Sequence, residues 1–110
     1  MSRMHGASEY QAAVVRLWQE HLGTAFPAGL RGAELAGIDM VMLDASIAGC
    51  ISTWHNNGGS LDAERLRILH DCLTELEQTL PLITEGEEVQ YCRGLQQLAT
   101  LASHPGSQTP

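Results

Sequence analysis

The sequence predicts an all-α protein: a four-helix bundle in which helices two, three and four are antiparallel, helix one packs across them, and the termini are disordered. Aromatic residues make up only 5% of the chain although 44% of it is hydrophobic. The core must therefore be built from aliphatic side chains, Met and Ala, which favours helices over strands. Leucines recur in steps of three and four between positions 66 and 80, as in a bundle seam.

The length of 110 residues is enough for one domain. We interpret residues 1–110 as a single helical domain whose ordered core covers about residues 8–102. Residues 1–7 and 103–110 are predicted to be tails. The second tail contains two prolines and has no apolar side chain to bury, which is typical of frayed termini.

The first helix is predicted to begin at Ser8, because Ser8 and Gln11 have the spacing of a capping box. It is predicted to end at Gly23, since glycine readily takes the left-handed conformation that follows many helices. Residues 24–32 contain Pro27 and two further glycines and are predicted to form a connection.

The second helix, predicted to run from Ala33 or Ile38 to His55, is the most informative element. Bulky side chains share one face of it: Met40, Leu43, Ile47, Cys50, Ile51 and Trp54. Short side chains share the opposite face: Val41, Ala45, Ala48, Gly49 and Ser52. An amphipathic surface helix would be polar there, so we expect this helix to be covered on both sides. The alternative is that residues 38–43 form a strand, because short apolar runs are ambiguous.

The third helix is predicted to begin at Asp62 as the N-cap and to end near Pro81. Its seam consists of five leucines: Leu66, Leu69, Leu73, Leu76 and Leu80. The fourth helix is predicted to begin at Thr84, because Thr84 and Glu87 match a capping box. Its inner face consists of six residues at helical spacing: Tyr91, Cys92, Leu95, Leu98, Ala99 and Ala102.

Charge restricts the classes of partner. The chain has 13 acidic and 6 basic residues and a formal net charge of -7. Nucleic acids and anionic membranes are bound through clustered Lys and Arg, so we expect no nucleic-acid or membrane partner. No signal peptide or membrane-spanning segment is recognisable. Three cysteines without a CxxC pair are typical of a reducing compartment, and the expected location is the cytoplasm.

A ligand site is predicted at Asp44, Trp54 and His55. Asp44 interrupts the apolar second helix beside its bulky face, which makes it a candidate acid, base or polar anchor. The simpler interpretations are a carboxylate at the edge of the bundle, a Trp in the core and a His that favours the negative end of its helix. Asp39, the other acidic residue of this segment, has a simpler interpretation near a helix start.

The cysteines and histidines give no strong metal signal. Antiparallel packing could bring Cys50, Cys72 and Cys92 into one layer, where thiols could bind a soft metal. Buried cysteines are more often small core residues, and no pair has the local spacing of metal ligands. We therefore predict no metal site and no cofactor.

The short face of the second helix is a candidate interface, at Val41, Ala45, Ala48 and Ser52. Short side chains allow another helix to approach closely. That helix could belong to the same chain or to a second copy in a homodimer.

Two functions remain open. The first is a non-enzymatic protein-interaction or regulatory module that binds another protein or itself, favoured because no catalytic motif is present. The second is a small-molecule-binding or catalytic domain with its site near Asp44, Trp54 and His55.

Overall fold

The computed structural model describes the backbone of residues 5–108 and the side chains of residues 9–108. It confirms a bundle of four helices: α1 (His5–Leu22), α2 (Met40–Asn56), α3 (Ala63–Thr79) and α4 (Gly86–Ser103). A short hairpin precedes α2, made of β1 (Glu34–Leu35) and β2 (Ile38–Asp39). Three 3-10 turns complete the described part: Ala28–Leu30, Leu80–Leu82 and Pro105–Ser107. None of these helices is long and apolar enough to cross a membrane.

The hairpin fixes the start of α2. Ala36 and Gly37 both have positive φ, 53° and 76°, as the central residues of a tight hairpin turn require. Asp39 ends β2 and becomes the N-cap of α2, because its Oδ1 accepts a hydrogen bond from the amide of Met42 at 3.1 Å. The helix therefore starts at Met40, later than Ala33 or Ile38. Residues 38–43 were the alternative strand, and only Ile38 and Asp39 of this segment pair with another strand.

The bulky face of α2 is buried as predicted. Its six members lie in the core: Met40, Leu43, Ile47, Cys50, Ile51 and Trp54. Ile47 and Ile51 are wholly inaccessible to solvent, because α3 and α4 both pack on this side of α2. The bundle is therefore assembled around one face of α2.

The short face of α2 is not covered by its own chain along its whole length. Val41, Ala45 and Gly49 are exposed, while Ala48 and Ser52 are half-buried. Of the two alternatives left open for this face, cover by a helix of the same chain is therefore wrong for the first three residues, while cover by a second copy stays a prediction. The physical reason is that α1 packs mainly on α4 and on the C-terminal turn, so that none of the described helices covers Val41, Ala45 and Gly49.

In α3, the predicted N-cap is confirmed, since Asp62 Oδ1 accepts a hydrogen bond from the amide of Arg65 at 2.8 Å. The fully buried face is shifted from the predicted leucine seam. It consists of four residues: Leu69, Cys72, Leu76 and Thr79. The other leucines of the predicted seam, Leu66, Leu73 and Leu80, are half-buried. They lie at the edges of the surface of α3 that packs between α2 and α4.

The inner face of α4 is confirmed, and all six of its predicted members are buried. The predicted capping box is wrong. The helix begins at Gly86, and its N-cap is Glu85, whose side chain makes no capping hydrogen bond. The 3-10 turn around Pro81 and the extended backbone after it delay the start of α4 by two residues beyond Thr84.

The backbone of α1 begins at His5, before the predicted start. Ser8, predicted as its N-cap, lies outside the described side chains. Gly23 follows the helix without a left-handed conformation. Its amide donates instead to the carbonyls of Gln19 and Glu20, both at 3.2 Å.

The C-terminal segment differs from the predicted tail. Residues 105–107 form a 3-10 turn that packs on α1, and Ser107 is fully buried. The Ser107 carbonyl accepts hydrogen bonds from Trp54 Nε1 and Gln11 Nε2, each at 3.2 Å. The His104 ring stacks on Tyr10 with centroids 4.1 Å apart. Residues 109–110 lie outside the described part of the chain.

We predict that truncation after Ser103 lowers the free energy of unfolding by at least about 1–3 kcal/mol, because the buried indole N–H of Trp54 loses its acceptor and the contacts of Ser107 with Gln11 and of His104 with Tyr10 are lost as well. Urea denaturation followed by tryptophan fluorescence measures the change. Trp54→Phe removes the hydrogen-bond donor. This substitution should lower the free energy of unfolding by less in the truncated chain than in the full chain. Equal costs of Trp54→Phe in both backgrounds would show that the Ser107 carbonyl does not stabilise Trp54.

Candidate functional site

The three residues predicted to form a ligand site are not brought together. Asp44 and Trp54 are ten residues apart on α2, which is about 15 Å along a helix. Trp54 is 2% exposed and lies in the core, where its indole N–H is used by Ser107. His55 is exposed in the last turn of α2. Of the three predicted residues, the candidate ligand site therefore keeps only Asp44. The neighbours of Asp44 in that site come from other helices.

Asp44 belongs to a polar cluster formed by three helices. Tyr91 of α4 donates a hydrogen bond from its hydroxyl to Asp44 Oδ1 at 2.7 Å. His21 of α1 brings its Nε2 to 3.6 Å from the same oxygen and to 3.5 Å from the Tyr91 hydroxyl. We call Asp44, Tyr91 and His21 the Asp44 cluster. The side chains of Asp44 and His21 are only 22% and 14% exposed.

Aromatic rings surround the Asp44 cluster. The rings of Trp18 and His21 are stacked with centroids 5.8 Å apart. Phe26 approaches Tyr91 edge to face at 5.4 Å, an arrangement that aromatic quadrupoles favour. The Arg31 guanidinium lies 5.7 Å from the centre of the Phe26 ring, within the range of a cation–π contact. The connection after α1 is thus held against α4 by aromatic contacts.

Burial sets the protonation states of the Asp44 cluster. It lowers the pKa of His21 from its ordinary value, and the Asp44 carboxylate opposes part of this effect. Burial, and then the hydrogen bond to Asp44, raises the pKa of Tyr91. Near neutral pH the phenol is therefore protonated and donates, while His21 is uncharged. The 3.6 Å approach of His21 to Asp44 is then a polar contact and not an ion pair.

A groove of about 700 Å³ opens beside the Asp44 cluster. Its walls come from the end of α1, the connection that follows it, and the first half of α4: Leu17, Glu20, His21, Thr24, Ala25, Phe26, Pro27, Ala28, Glu87, Gln90, Tyr91 and Gly94. We call it the α1–α4 groove. Two members of the Asp44 cluster, His21 and Tyr91, line it, while the Asp44 carboxylate is linked to it through the Tyr91 hydroxyl.

A second, smaller depression of about 390 Å³ lies between α2 and α3. It borders the short face of α2 at Ala45 and Gly49, and Arg65 and Ile68 of α3 form its other side. Cys50 reaches it from the core and directs its Sγ towards the carbonyl of Arg65 at 3.8 Å. The depression continues the uncovered surface of α2 towards α3.

The cysteines are buried free thiols at positions 50, 72 and 92. Burial raises the pKa of Cys72 and of Cys92 to about 11, and it also raises the pKa of Cys50. Thiols with such values stay protonated and are poor nucleophiles and ligands near neutral pH. Among the described residues, no three His, Cys, Asp or Glu side chains are grouped so that they could hold a metal ion.

The sequence reasoning missed His21, Tyr91 and Phe26 as site residues. Helical periodicity placed Tyr91 on the inner face of the fourth helix, and His21 also follows the apolar spacing of the first helix, Val14, Leu17 and Trp18. Both patterns are those of ordinary core residues. Their meeting with Asp44 depends on contacts between distant positions, since Tyr91 is 47 residues from Asp44 and 70 residues from His21 in the chain. The one local signal was Asp44 itself, a carboxylate beside the bulky face of an apolar helix.

Comparison with known proteins found no relative of this chain. No protein-family model matches the chain, and neither a curated protein nor a solved structure is significantly similar to it. Its function is therefore argued from its own residues.

We predict that His21 titrates below the ordinary histidine pKa of 6.5, as measured by NMR of the ring protons. Replacing Asp44 with Asn should lower this pKa further, because the carboxylate that favours the imidazolium is removed. The folded state binds the His21 proton more weakly than the unfolded state. The free energy of unfolding should therefore fall as the pH drops below about 6.5.

His21→Gln is the control for that pH dependence and should lose the contribution of this residue. An unchanged slope of stability against pH in His21→Gln would contradict this account. So would a His21 pKa above 6.5 in the wild-type protein.

Proposed function

We propose that this protein is a small non-enzymatic interaction module of the cytoplasm that self-associates through the outer face of α2. The proposed contact surface is the row Val41, Ala45, Ala48 and Ser52, here called the α2 stripe. The observation that carries the proposal is the exposure of apolar side chains at the start of α2. Val41 is 40% exposed, and the neighbouring Met42 is 61% exposed.

The geometry of α2 supports a helix-against-helix contact. Members of the α2 stripe are three or four residues apart and so lie on one line along the helix. Their side chains are short, which lets the backbone of another helix approach closely. The bulky face on the opposite side is already buried against α3 and α4. A second copy packed on the α2 stripe would then give α2 apolar neighbours on both sides.

Charge supports the same location for the contact. The chain carries a formal net charge of -7, so two copies repel one another over most orientations. The α2 stripe contains no charged residue, and exposed Met42 extends its apolar surface at one end. Self-association there avoids placing carboxylates opposite one another at the centre of the contact.

The cytoplasmic location is proposed from the cysteines. The three thiols are free and buried, which suits a reducing compartment.

We predict that the wild-type protein forms a dimer at micromolar concentration in sedimentation velocity and that Val41→Glu shifts it to a monomer. The reason is that the substitution places one carboxylate of each copy in an apolar contact. The thermal unfolding of Val41→Glu should stay close to that of the wild type when both are monomeric, because Val41 is already exposed.

The matched control is Gln78→Glu, which adds the same charge at an exposed position of α3. It should leave the sedimentation of the wild type unchanged. A wild-type protein that stays monomeric at high micromolar concentration would refute self-association. If Val41→Glu leaves a dimer intact, the contact lies elsewhere than the α2 stripe.

A second candidate function is small-molecule binding in the α1–α4 groove. The observation that favours it is the Asp44 cluster, which provides polar groups beside a concave surface with apolar and aromatic walls, a common composition for ligand sites. This candidate keeps Asp44 of the predicted ligand site and replaces Trp54 and His55 by His21 and Tyr91.

A further inference from the structure

We propose that the α1–α4 groove binds a small aliphatic amine with two ammonium groups. The amine would place its ammonium groups near Glu20, Glu87 and the aromatic faces of the groove, with its hydrocarbon chain along the apolar wall. The inference rests on the second candidate function, that this groove binds small molecules. It does not depend on self-association through the α2 stripe.

The size and walls of the groove suit a small organic ligand. Its volume of about 700 Å³ falls within the range of about 300–1,000 Å³ that is common for small-molecule sites. Apolar surface is supplied by Leu17 and Pro27 together with the Phe26 ring. These side chains can cover methylene groups, whose burial is favourable.

The charge of the groove selects a cation over an anion. Glu20 belongs to the α1 wall and Glu87 to the α4 wall. No Arg is among the residues that line the groove, and the chain has no Lys. Arg16 and Arg31 contact residues that line the groove. Arg16 is 3.5 Å from Glu20 in an exposed pair, which is weak in water, and Arg31 lies against Phe26.

The aromatic rings add a second attraction for ammonium groups. The negatively polarised face of an aromatic ring attracts cations within about 6 Å of its centre. The Tyr91 ring lines the groove, and its hydroxyl donates to the Asp44 carboxylate at 2.7 Å. This hydrogen bond increases the electron density of the ring and places a negative charge at its hydroxyl edge. The position of Arg31 over Phe26 is an example of the same attraction within the chain.

His21 does not oppose a cation near neutral pH. Its pKa is lowered by burial, so the imidazole in the wall of the groove is uncharged there. The competing imidazolium is populated only as the pH falls to this lowered pKa, and the groove should then bind ammonium groups less well. The other charged groups that face or adjoin this wall are Glu20, Glu87, Asp44, Arg16 and Arg31, together with Glu88, whose carboxylate lies against Gly29.

The test uses three probes of similar length: 1,4-diaminobutane, the neutral 1,4-butanediol and the dianion of butanedioic acid. Each is titrated into the full-length protein at pH 7.5 and followed by the amide and side-chain NMR shifts of Phe26, Glu87 and Tyr91. We expect saturable shifts with the diamine and none with the diol or the dianion. The affinity should decrease with added salt, as screening weakens the ion pairs.

Glu87→Gln should weaken diamine binding by about twofold to fivefold, the range of an exposed ion pair. Glu87 is exposed, so the variant should fold normally. The matched control is Glu77→Gln, which removes the same charge from an exposed position of α3 outside the groove, and it should bind like the wild type.

Three results would overturn the proposal. Equal weakening by Glu77→Gln would mean that the diamine responds only to the net charge of the protein. Binding of the diol or the dianion in the groove, without the diamine, would refute the amine as ligand but leave the groove as a small-molecule site. Absence of saturable shifts at Phe26, Glu87 and Tyr91 with all three probes would contradict both the amine and the use of the groove for ligands of this size.

Discussion

Burial of the bulky face of α2 is the interaction on which the rest of this structure depends. Ile47 and Ile51 are wholly inaccessible, and α3 and α4 both pack against this face. Complete burial of one large aliphatic side chain contributes about 1.5–3 kcal/mol. Six buried side chains on one helix are thus comparable with the whole net stability of a small domain, about 5–15 kcal/mol. A single capping hydrogen bond or exposed ion pair contributes much less to the free energy of unfolding.

The orientation of that face also decides where the candidate functional surfaces lie. Since successive residues of an α-helix are 100° apart, burying Leu43 and Ile47 turns Asp44 towards α4, where Tyr91 donates to it. The same rotation turns Val41 and Ala45 towards solvent. Burial of the bulky face of α2 therefore places both Asp44 beside the α1–α4 groove and the α2 stripe on the surface. At the other end of the helix it buries Trp54, which binds the C-terminal turn through Ser107.

The sequence was sufficient to predict the class of fold because helical periodicity is a local property. All six bulky residues of α2 and all six inner residues of α4 are buried as predicted, and Asp62 caps α3. Features that depend on backbone contacts between distant segments were not predictable in this way. The docking of residues 103–108 uses the carbonyl of Ser107, and a carbonyl has no signature in the sequence. The hairpin before α2 was missed because its strands have only two residues each.

The candidate site was predictable only in part, for a related reason. Asp44 stood out because a carboxylate beside an apolar face is locally unusual, whereas His21 and Tyr91 resemble ordinary inner-face residues. Trp54 and His55 were grouped with Asp44 because they lie on the same helix. The helix rise separates them from Asp44 by about 15 Å, and the packing of α1 against α4 supplies the actual neighbours.

Native-state hydrogen exchange of α2 tests the central role of its bulky face most directly. If the bundle is assembled on that face, the amides of Ile47, Cys50 and Ile51 should exchange only through global unfolding. Their exchange free energies should then equal the unfolding free energy measured with urea. Exchange of these three amides at a free energy clearly below that of global unfolding, or below that of Val14 in α1, would contradict the account.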